Sequence, residues 1–212
     1  GGILSVAFTL FFVVISQSVD SKKKADILVR ALIIIGALVS VYGFYQYMHQ
    51  DQFSGQWVDA DMFSSITFRV YSTLENPNVL GEYFLLVLPF AASIFLTAKN
   101  KADRFVSFIC GCAMLVCLVL TYSRGCYLGL LVSAAAFLVL IDRRFLLLGI
   151  LGLFALPFVL PDTILNRFLS IGNMEDSSTS YRVYIWMGTL AMLKDYWFSG
   201  IGPGTGAFNK VY

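Results

Sequence analysis

Long apolar runs separated by short polar segments dominate this chain. A helix that crosses a bilayer needs about 20 apolar residues, and this rule predicts six spanning segments, at residues 2–19, 28–48, 78–98, 105–122, 125–141 and 145–160. Residues 105–141 contain no charged residue except Arg124. At about 1.5 Å per residue, this stretch would be nearly twice as long as a hydrocarbon core is thick. It is therefore expected to turn at Ser123-Arg124-Gly125, which brings Arg124 to a membrane surface.

The composition is typical of a polytopic membrane protein. The chain is 58% hydrophobic and 13% charged, with a mean hydropathy of +0.76, whereas soluble domains carry about 25% charged residues. A net charge of +2 gives no reason to expect nucleic-acid binding. No signal peptide is recognisable, and because the chain opens on Gly1-Gly2 it is expected to be a piece of a longer protein. The cysteines fit neither zinc nor redox spacing and are interpreted as small packing residues: Cys110, Cys112, Cys117 and Cys126.

The distribution of basic residues predicts the topology. If the six spans are real, nine of the fifteen basic residues lie on one side, which the positive-inside rule makes cytoplasmic: Lys22, Lys23, Lys24, Arg30, Lys99, Lys101, Arg104, Arg143 and Arg144. Six are left for the outer face: Arg69, Arg124, Arg167, Arg182, Lys194 and Lys210. The expected architecture is an all-α transmembrane bundle over residues 1–160, with an external loop at about 49–77. Residues 161–212 are expected to form an extracytoplasmic segment with an interfacial helix and a glycine-rich turn.

Three external arginines precede or begin predicted helices. Arg69 comes shortly before the helix start at Asn76-Pro77, and Arg124 follows Ser123, the expected N-cap of the fifth span. Arg182 falls in the first turn of a helix at about 181–198 that residues 177–180 could cap. Helix N-termini attract anions, and guanidinium groups match phosphate oxygens in a bidentate way. The alternatives are an ordinary cap with a headgroup-binding arginine at Arg69 and a snorkelling arginine at Arg124. Together, these residues favour an external site for a membrane-embedded anion, for which a lipid-linked diphosphate fits best.

Two further features carry less information. The segment "GIGPGTG" is similar to a phosphate-binding glycine loop, but it lacks the strand-loop-helix context and the Lys-Ser/Thr ending of a P-loop, so a flexible turn is the alternative. His49, the lone histidine, is either a general base or a headgroup-level residue without a chemical role.

Three segments, "RVYSTLENPNVLGEYFLLVLP", "TYSRGCYLGLL" and "SYRVYIWMGTLAMLKDYWFSGIGPGTGAF", resemble in this order the O-antigen ligase and polymerase superfamily, over Arg69 to Phe208. The resemblance implies a bacterial membrane glycosyltransferase with a helical fold of the GT-C type and without a metal or other cofactor. Such an enzyme moves a glycan from undecaprenyl diphosphate to a glycan or lipid acceptor at the outer face of the cytoplasmic membrane.

The resemblance also implies residue roles. Arg69, Arg124 and Arg182 would hold the donor diphosphate. The family's histidine, in an "HN-x-x-L"-like segment beyond the glycine-rich motif, is expected after Tyr212, and His49 does not match it. Two other functions stay open on the sequence: a flippase or transporter of lipid-linked sugars, and a non-catalytic membrane subunit of a polysaccharide assembly complex.

Overall fold

Helices account for nearly all the regular structure in the described part of the chain. The computed structural model describes residues 2–53, 57–58, 66–142, 147, 149–152, 154, 158, 160–170, 177–202 and 205–211, and no strand occurs among them. The α-helices are α1 (Gly2–Ser18), α2 (Lys22–Met48), α3 (Pro77–Thr97), α4 (Lys101–Val119), α5 (Arg124–Ile141), α6 (Asp162–Leu169), α7 (Ser177–Tyr196) and α8 (Thr205–Val211). Short 3₁₀ turns occupy Gln50–Gln52 and Ser72–Leu74.

The predicted membrane character is confirmed. Within the described part of the chain, four helices, α2 to α5, are long and apolar enough to cross a bilayer. They correspond to the second to fifth predicted spans. The first forms the shorter apolar helix α1, and most of the sixth, at 145–160, lies outside the described residues. A helical multi-pass protein is therefore established, whereas the number of six spans and the GT-C architecture stay predictions.

Local sequence signals explain where α3 and α4 begin. The Asn76 side chain accepts a hydrogen bond from the backbone N–H of Asn78 at 2.9 Å, and Pro77 occupies the first helical position. Asn100 caps α4 in the same way, accepting from the N–H of Ala102 at 3.0 Å. In each case an asparagine satisfies an N–H that has no acceptor within the helix. The start predicted at Asn76-Pro77 is confirmed.

The long uncharged stretch is divided into two helices, as predicted, but the break lies slightly earlier than Ser123-Arg124-Gly125. Helix α4 ends at Val119 and α5 begins at Arg124, so residues 120–123 form the turn. Tyr122 in this turn has a φ of +48°. A non-glycine residue adopts this left-handed conformation only where its surroundings hold it there.

Residues 27–171 form one compact unit, in which α3 packs against both α4 and α5. Its core is apolar and includes Phe68, Val70, Leu80, Phe84, Val87, Met114 and Leu118. Small residues allow close approach: a Cβ added to Gly43 would lie 2.5 Å from Cys117 Sγ, and one added to Gly81 would lie 2.9 Å from Cys126 Cβ. Cys117 and Cys126 are buried and form no disulfide, as expected of packing residues.

The second unit comprises residues 1–26 and 172–212. It contains α1, α7 and α8, together with an ion pair between Lys24 and Asp20 at 2.8 Å. Helix α7 begins four residues before the predicted position, so residues 177–180 form its first turn rather than a cap. Serine and threonine fit this turn because its N–H groups have no intrahelical acceptor. Gly200 and Gly202, which follow the end of this helix at Tyr196, have φ values of +63° and +88°, which only glycine adopts readily.

Candidate functional site

Three arginines lie buried together at one end of the larger unit. Arg69 and Arg124 are each 9% exposed, and Arg167 is 6% exposed. They come from the segment before α3, the first residue of α5, and α6. Arg30 and Arg104, by contrast, lie in the first half of α2 and in the first turn of α4. The turn that follows the other end of α4 bonds to two members of the arginine cluster, which is defined as Arg69, Arg124 and Arg167.

Arg69 connects three separate segments. Its Nε donates to the Thr121 carbonyl at 2.8 Å, its Nη2 to Asn78 Oδ1 at 3.1 Å, and its Nη1 to the Trp57 carbonyl at 3.2 Å. The planar guanidinium spreads its donors over three nitrogen atoms in a fixed fork, so it reaches acceptors on separate segments, whereas the three donors of an ammonium all lie on one nitrogen atom. Arg69 thereby holds the turn between α4 and α5 against the start of α3.

The backbone around Arg69 is fixed by a buried glutamine of α2. The Gln46 side chain is 1% exposed, accepts from the Ser72 N–H at 2.7 Å and donates to the Ser72 carbonyl at 3.2 Å. On the other side, the N–H of Val70 donates to the Leu120 carbonyl at 3.1 Å. These bonds satisfy the polar backbone of a non-helical segment inside the unit, as burial requires, and they set the direction of Arg69.

The N-termini of α3 and α5 are joined by a side-chain hydrogen bond. Ser123 Oγ donates to Asn78 Oδ1 at 2.8 Å, and the same oxygen accepts from Arg69. Ser123 occupies the N-cap position of α5 as predicted, but its hydroxyl makes no capping bond. The tertiary contact to Asn78 takes the hydroxyl instead. Two helix starts, each carrying a partial positive charge, are thus held side by side at the arginine cluster.

Helix α6 contributes the third arginine and a contact to Arg124. Arg167 Nε donates to the Tyr122 carbonyl at 3.2 Å, which ties α6 to the left-handed residue of the turn. Arg124 Nη1 donates to the Ser170 carbonyl, just after the end of α6, also at 3.2 Å. Arg167 therefore bonds from α6 to the turn, and Arg124 bonds from α5 to the residue that follows α6.

The electrostatics of the cluster favour a bound anion. The pKa of Arg69 is lowered to about 10, mainly because burial removes water from the guanidinium. Repulsion by the charges of Arg167 and Arg124 lowers this pKa further, whereas Tyr127 raises it. Arg69 still stays protonated at neutral pH. An anion between these cations would relieve their repulsion, and the guanidinium forks and helix N-termini are suited to phosphate oxygens.

The other sequence candidates are placed differently. Arg182 lies on α7, in the smaller unit, with an exposed side chain, and the other two predicted ligands, Arg69 and Arg124, lie in the larger unit. His49 Nδ1 lies 3.0 Å from the Tyr45 carbonyl, and its ring packs on that of Tyr45 with centroids 4.5 Å apart. Among the described residues, no group of His, Cys, Asp or Glu side chains could hold a metal ion.

Arg167 was counted among the external basic residues but was not predicted as part of the site. Its signal lies in the segment "TILNRFLS", where Arg167 follows Ile164 by three residues and adjoins Phe168. It shares the inward face of α6 with these two apolar residues, which pack against the core. A cation on the apolar face of a short amphipathic helix is the pattern that could have identified it.

The fold and the arginine cluster define a multi-pass helical membrane protein with a buried cationic end. Residues 108–212 match the family described as O-antigen ligase. This segment belongs to that family, within the O-antigen ligase and polymerase superfamily, and the match supports, at a coarse level, ligase-type glycan transfer. The match includes Arg124, Arg167 and Arg182, whereas Arg69 lies before it. No curated protein and no solved structure matches the chain.

Proposed function

We propose that this protein transfers a glycan from undecaprenyl diphosphate to a glycan or lipid acceptor at the outer face of the bacterial cytoplasmic membrane. In this reaction the bond between the anomeric carbon and the diphosphate oxygen breaks, and the acceptor hydroxyl oxygen forms the new glycosidic bond. The lipid diphosphate leaves with the bonding electrons, and a base takes the hydroxyl proton. The observation that carries the proposal is the burial of Arg69, Arg124 and Arg167 around the paired starts of α3 and α5.

The arginines have distinct proposed roles. Arg124, at the first residue of α5, binds the diphosphate directly, and Arg167 adds a second charge beside it. Arg69 contributes its charge but commits three of its nitrogen atoms to protein acceptors, so its main part is to position the others. Arg182 is proposed as a further ligand because of the family resemblance. Fixed cations stabilise the negative charge that develops on the leaving diphosphate and need no rearrangement during the reaction.

A transfer assay tests this function. Membrane vesicles that carry the full-length protein are supplied with a synthetic undecaprenyl-diphosphate oligosaccharide, and products are separated by size and by lipid attachment. The expected result is a longer or acceptor-linked glycan together with released undecaprenyl diphosphate. If the labelled glycan instead crosses the membrane without changing its chemical linkage, the protein is a transporter and the proposal is wrong.

The outer-face assignment predicts a labelling pattern. The exposed natural cysteine, Cys112, is first changed to serine. Single cysteines are then placed at Glu75, which is exposed beside the arginine cluster, or at Lys101, which is exposed at the start of α4. A membrane-impermeant maleimide is expected to label position 75 in intact cells and position 101 only after permeabilisation, because short basic loops stay cytoplasmic. Labelling of position 101 from outside would put the cluster on the cytoplasmic face.

A further inference from the structure

The side-chain amide of Asn78 has a fixed orientation beside the arginine cluster. Its oxygen accepts two hydrogen bonds, from Arg69 Nη2 at 3.1 Å and from Ser123 Oγ at 2.8 Å. Because a guanidinium can only donate, the amide atom that contacts Arg69 has to be the oxygen and not the nitrogen. The charged partner therefore determines which way round this amide lies.

The main chain of Asn78 is also bonded on both sides. Its N–H donates to the Asn76 side chain at 2.9 Å, and its carbonyl accepts from Cys126 Sγ of α5 at 3.6 Å. Close packing of α3 on α5 continues at Gly81, where an added Cβ would lie 2.9 Å from Cys126 Cβ. Neither the backbone nor the side-chain oxygen of Asn78 can turn without breaking these contacts.

The nitrogen of the same amide is left for another partner. Its two N–H groups bond to none of the residues that the structure describes, whereas the oxygen has two donors. Asn78 is half-buried, so a ligand at the arginine cluster can reach this group. The amide contacts Arg69 directly and Ser123, the residue before Arg124, so its free donors lie next to two cations.

We propose that Asn78 binds the substrate directly, by donating its amide N–H groups to an oxygen of the diphosphate held at Arg124. This role rests on the proposed function and adds to it a residue that lies before the family match at 108–212. A diphosphate oxygen fits better than a sugar hydroxyl, because the neighbouring arginines attract an anion and gain little from a neutral group.

The fixed amide would also contribute to the reaction itself. Negative charge develops on the diphosphate as its bond to the sugar breaks, and a donor that is already oriented stabilises this charge without rearranging. Arg69 and Ser123 then act as positioning residues, since their bonds to the amide oxygen direct the nitrogen toward the ligand.

Asn78→Asp separates this role from a structural one. The carboxylate keeps an oxygen for Arg69 and Ser123 at nearly the same shape, but an oxygen that repels phosphate replaces the NH2 group. Binding of undecaprenyl diphosphate to the full-length protein in phosphatidylcholine nanodiscs should weaken by about tenfold or more, because a hydrogen bond to a charged group is lost. The melting temperature without ligand should not fall, since a carboxylate is favourable at a helix start.

Asn76→Asp is the matched control for the added charge. Asn76 lies two residues earlier, and its side chain accepts from the Asn78 N–H, a bond that aspartate also makes. Its replacement should change the affinity for undecaprenyl diphosphate by no more than about threefold, because a charge that does not touch the ligand has a weak effect in water. If both variants weaken binding equally, the added charge explains the loss and the role of Asn78 as a ligand is wrong.

The other outcomes distinguish this role from the proposed function. If wild type binds undecaprenyl diphosphate and Asn78→Asp binds it equally well, Asn78 is no ligand, while the arginine site is unaffected. If Asn78→Asp melts well below wild type, Asn78 is a structural residue and the proposal is wrong. If wild type does not bind undecaprenyl diphosphate, both proposals fail.

A second measurement uses the unaltered protein and does not depend on the variants folding. Nuclear magnetic resonance of the full-length protein with isotopically labelled asparagine follows the side-chain NH2 signals of Asn78. Undecaprenyl diphosphate is expected to shift these signals, and phosphatidylglycerol is expected to leave them unchanged. Bound undecaprenyl diphosphate without a shift, or an equal shift with phosphatidylglycerol, would overturn the assignment.

Discussion

Arg124→Lys is expected to lower the rate of glycan transfer by about tenfold or more, which corresponds to roughly 1.4 kcal/mol in the barrier. The substitution keeps the positive charge but removes the planar fork that binds two phosphate oxygens at once. It also shortens the reach to the Ser170 carbonyl, which Arg124 Nη1 contacts at 3.2 Å. The measurement is the initial rate of product formation in membrane vesicles that contain equal amounts of each variant.

Arg104→Lys is the matched control for this substitution. Arg104 also donates one guanidinium N–H to a backbone carbonyl, from Nε to Phe95 at 2.9 Å, but it is exposed and lies at the start of α4, away from the cluster. Its replacement should leave the rate within about twofold, as expected of a surface residue. If Arg124→Lys keeps the wild-type transfer rate, the result favours the alternative in which the Arg124 side chain only extends to the membrane surface and binds no diphosphate.

Local features of this fold were predictable from the sequence because local chemistry determines them. The helix start at Asn76-Pro77 depends on an asparagine cap and on the fixed φ of proline, both of which act within two residues. The turn at residues 120–123 follows from the length of the uncharged run compared with the thickness of a bilayer. These predictions needed no knowledge of which helices touch.

The candidate site was only partly predictable because its hydrogen bonds join residues far apart in the chain. Ser123 was expected to cap α5, but its hydroxyl donates to Asn78, which lies 45 residues earlier. Arg167 was missed as a site residue because its bond to Tyr122 spans the same separation. Periodicity and caps carry no information about such partners. Arg69, predicted as a ligand for its charge, proves to be a connector between segments.

Arg69→Ala is expected to destabilise the protein by about 3 kcal/mol, because three hydrogen bonds to a charged group, at roughly 1.5–3 kcal/mol each, are lost and relief of the cost of burying that charge offsets part of the loss. The acceptors are the carbonyls of Thr121 and Trp57 and the Asn78 side chain, around a guanidinium that is 9% exposed. In a chain of this size, 1 kcal/mol shifts the melting temperature by roughly 2–4 °C. The apparent melting temperature in detergent should therefore fall by roughly 6–12 °C.

Two further variants show whether Arg69 positions the site or only supplies charge. Arg69→Lys retains the charge but places all its donors on one nitrogen atom instead of a wide planar fork, so it should recover only part of the lost stability. Arg104→Ala, which removes an exposed arginine at the far end of α4, should shift the melting temperature by no more than about 2 °C. If Arg69→Ala melts like wild type while losing diphosphate binding, Arg69 acts as a ligand alone. If Arg69→Ala instead has a low melting temperature and Arg69→Lys restores part of it, Arg69 holds the α4–α5 turn and the start of α3 in place. In that case Arg69 orients Arg124 for binding the anion.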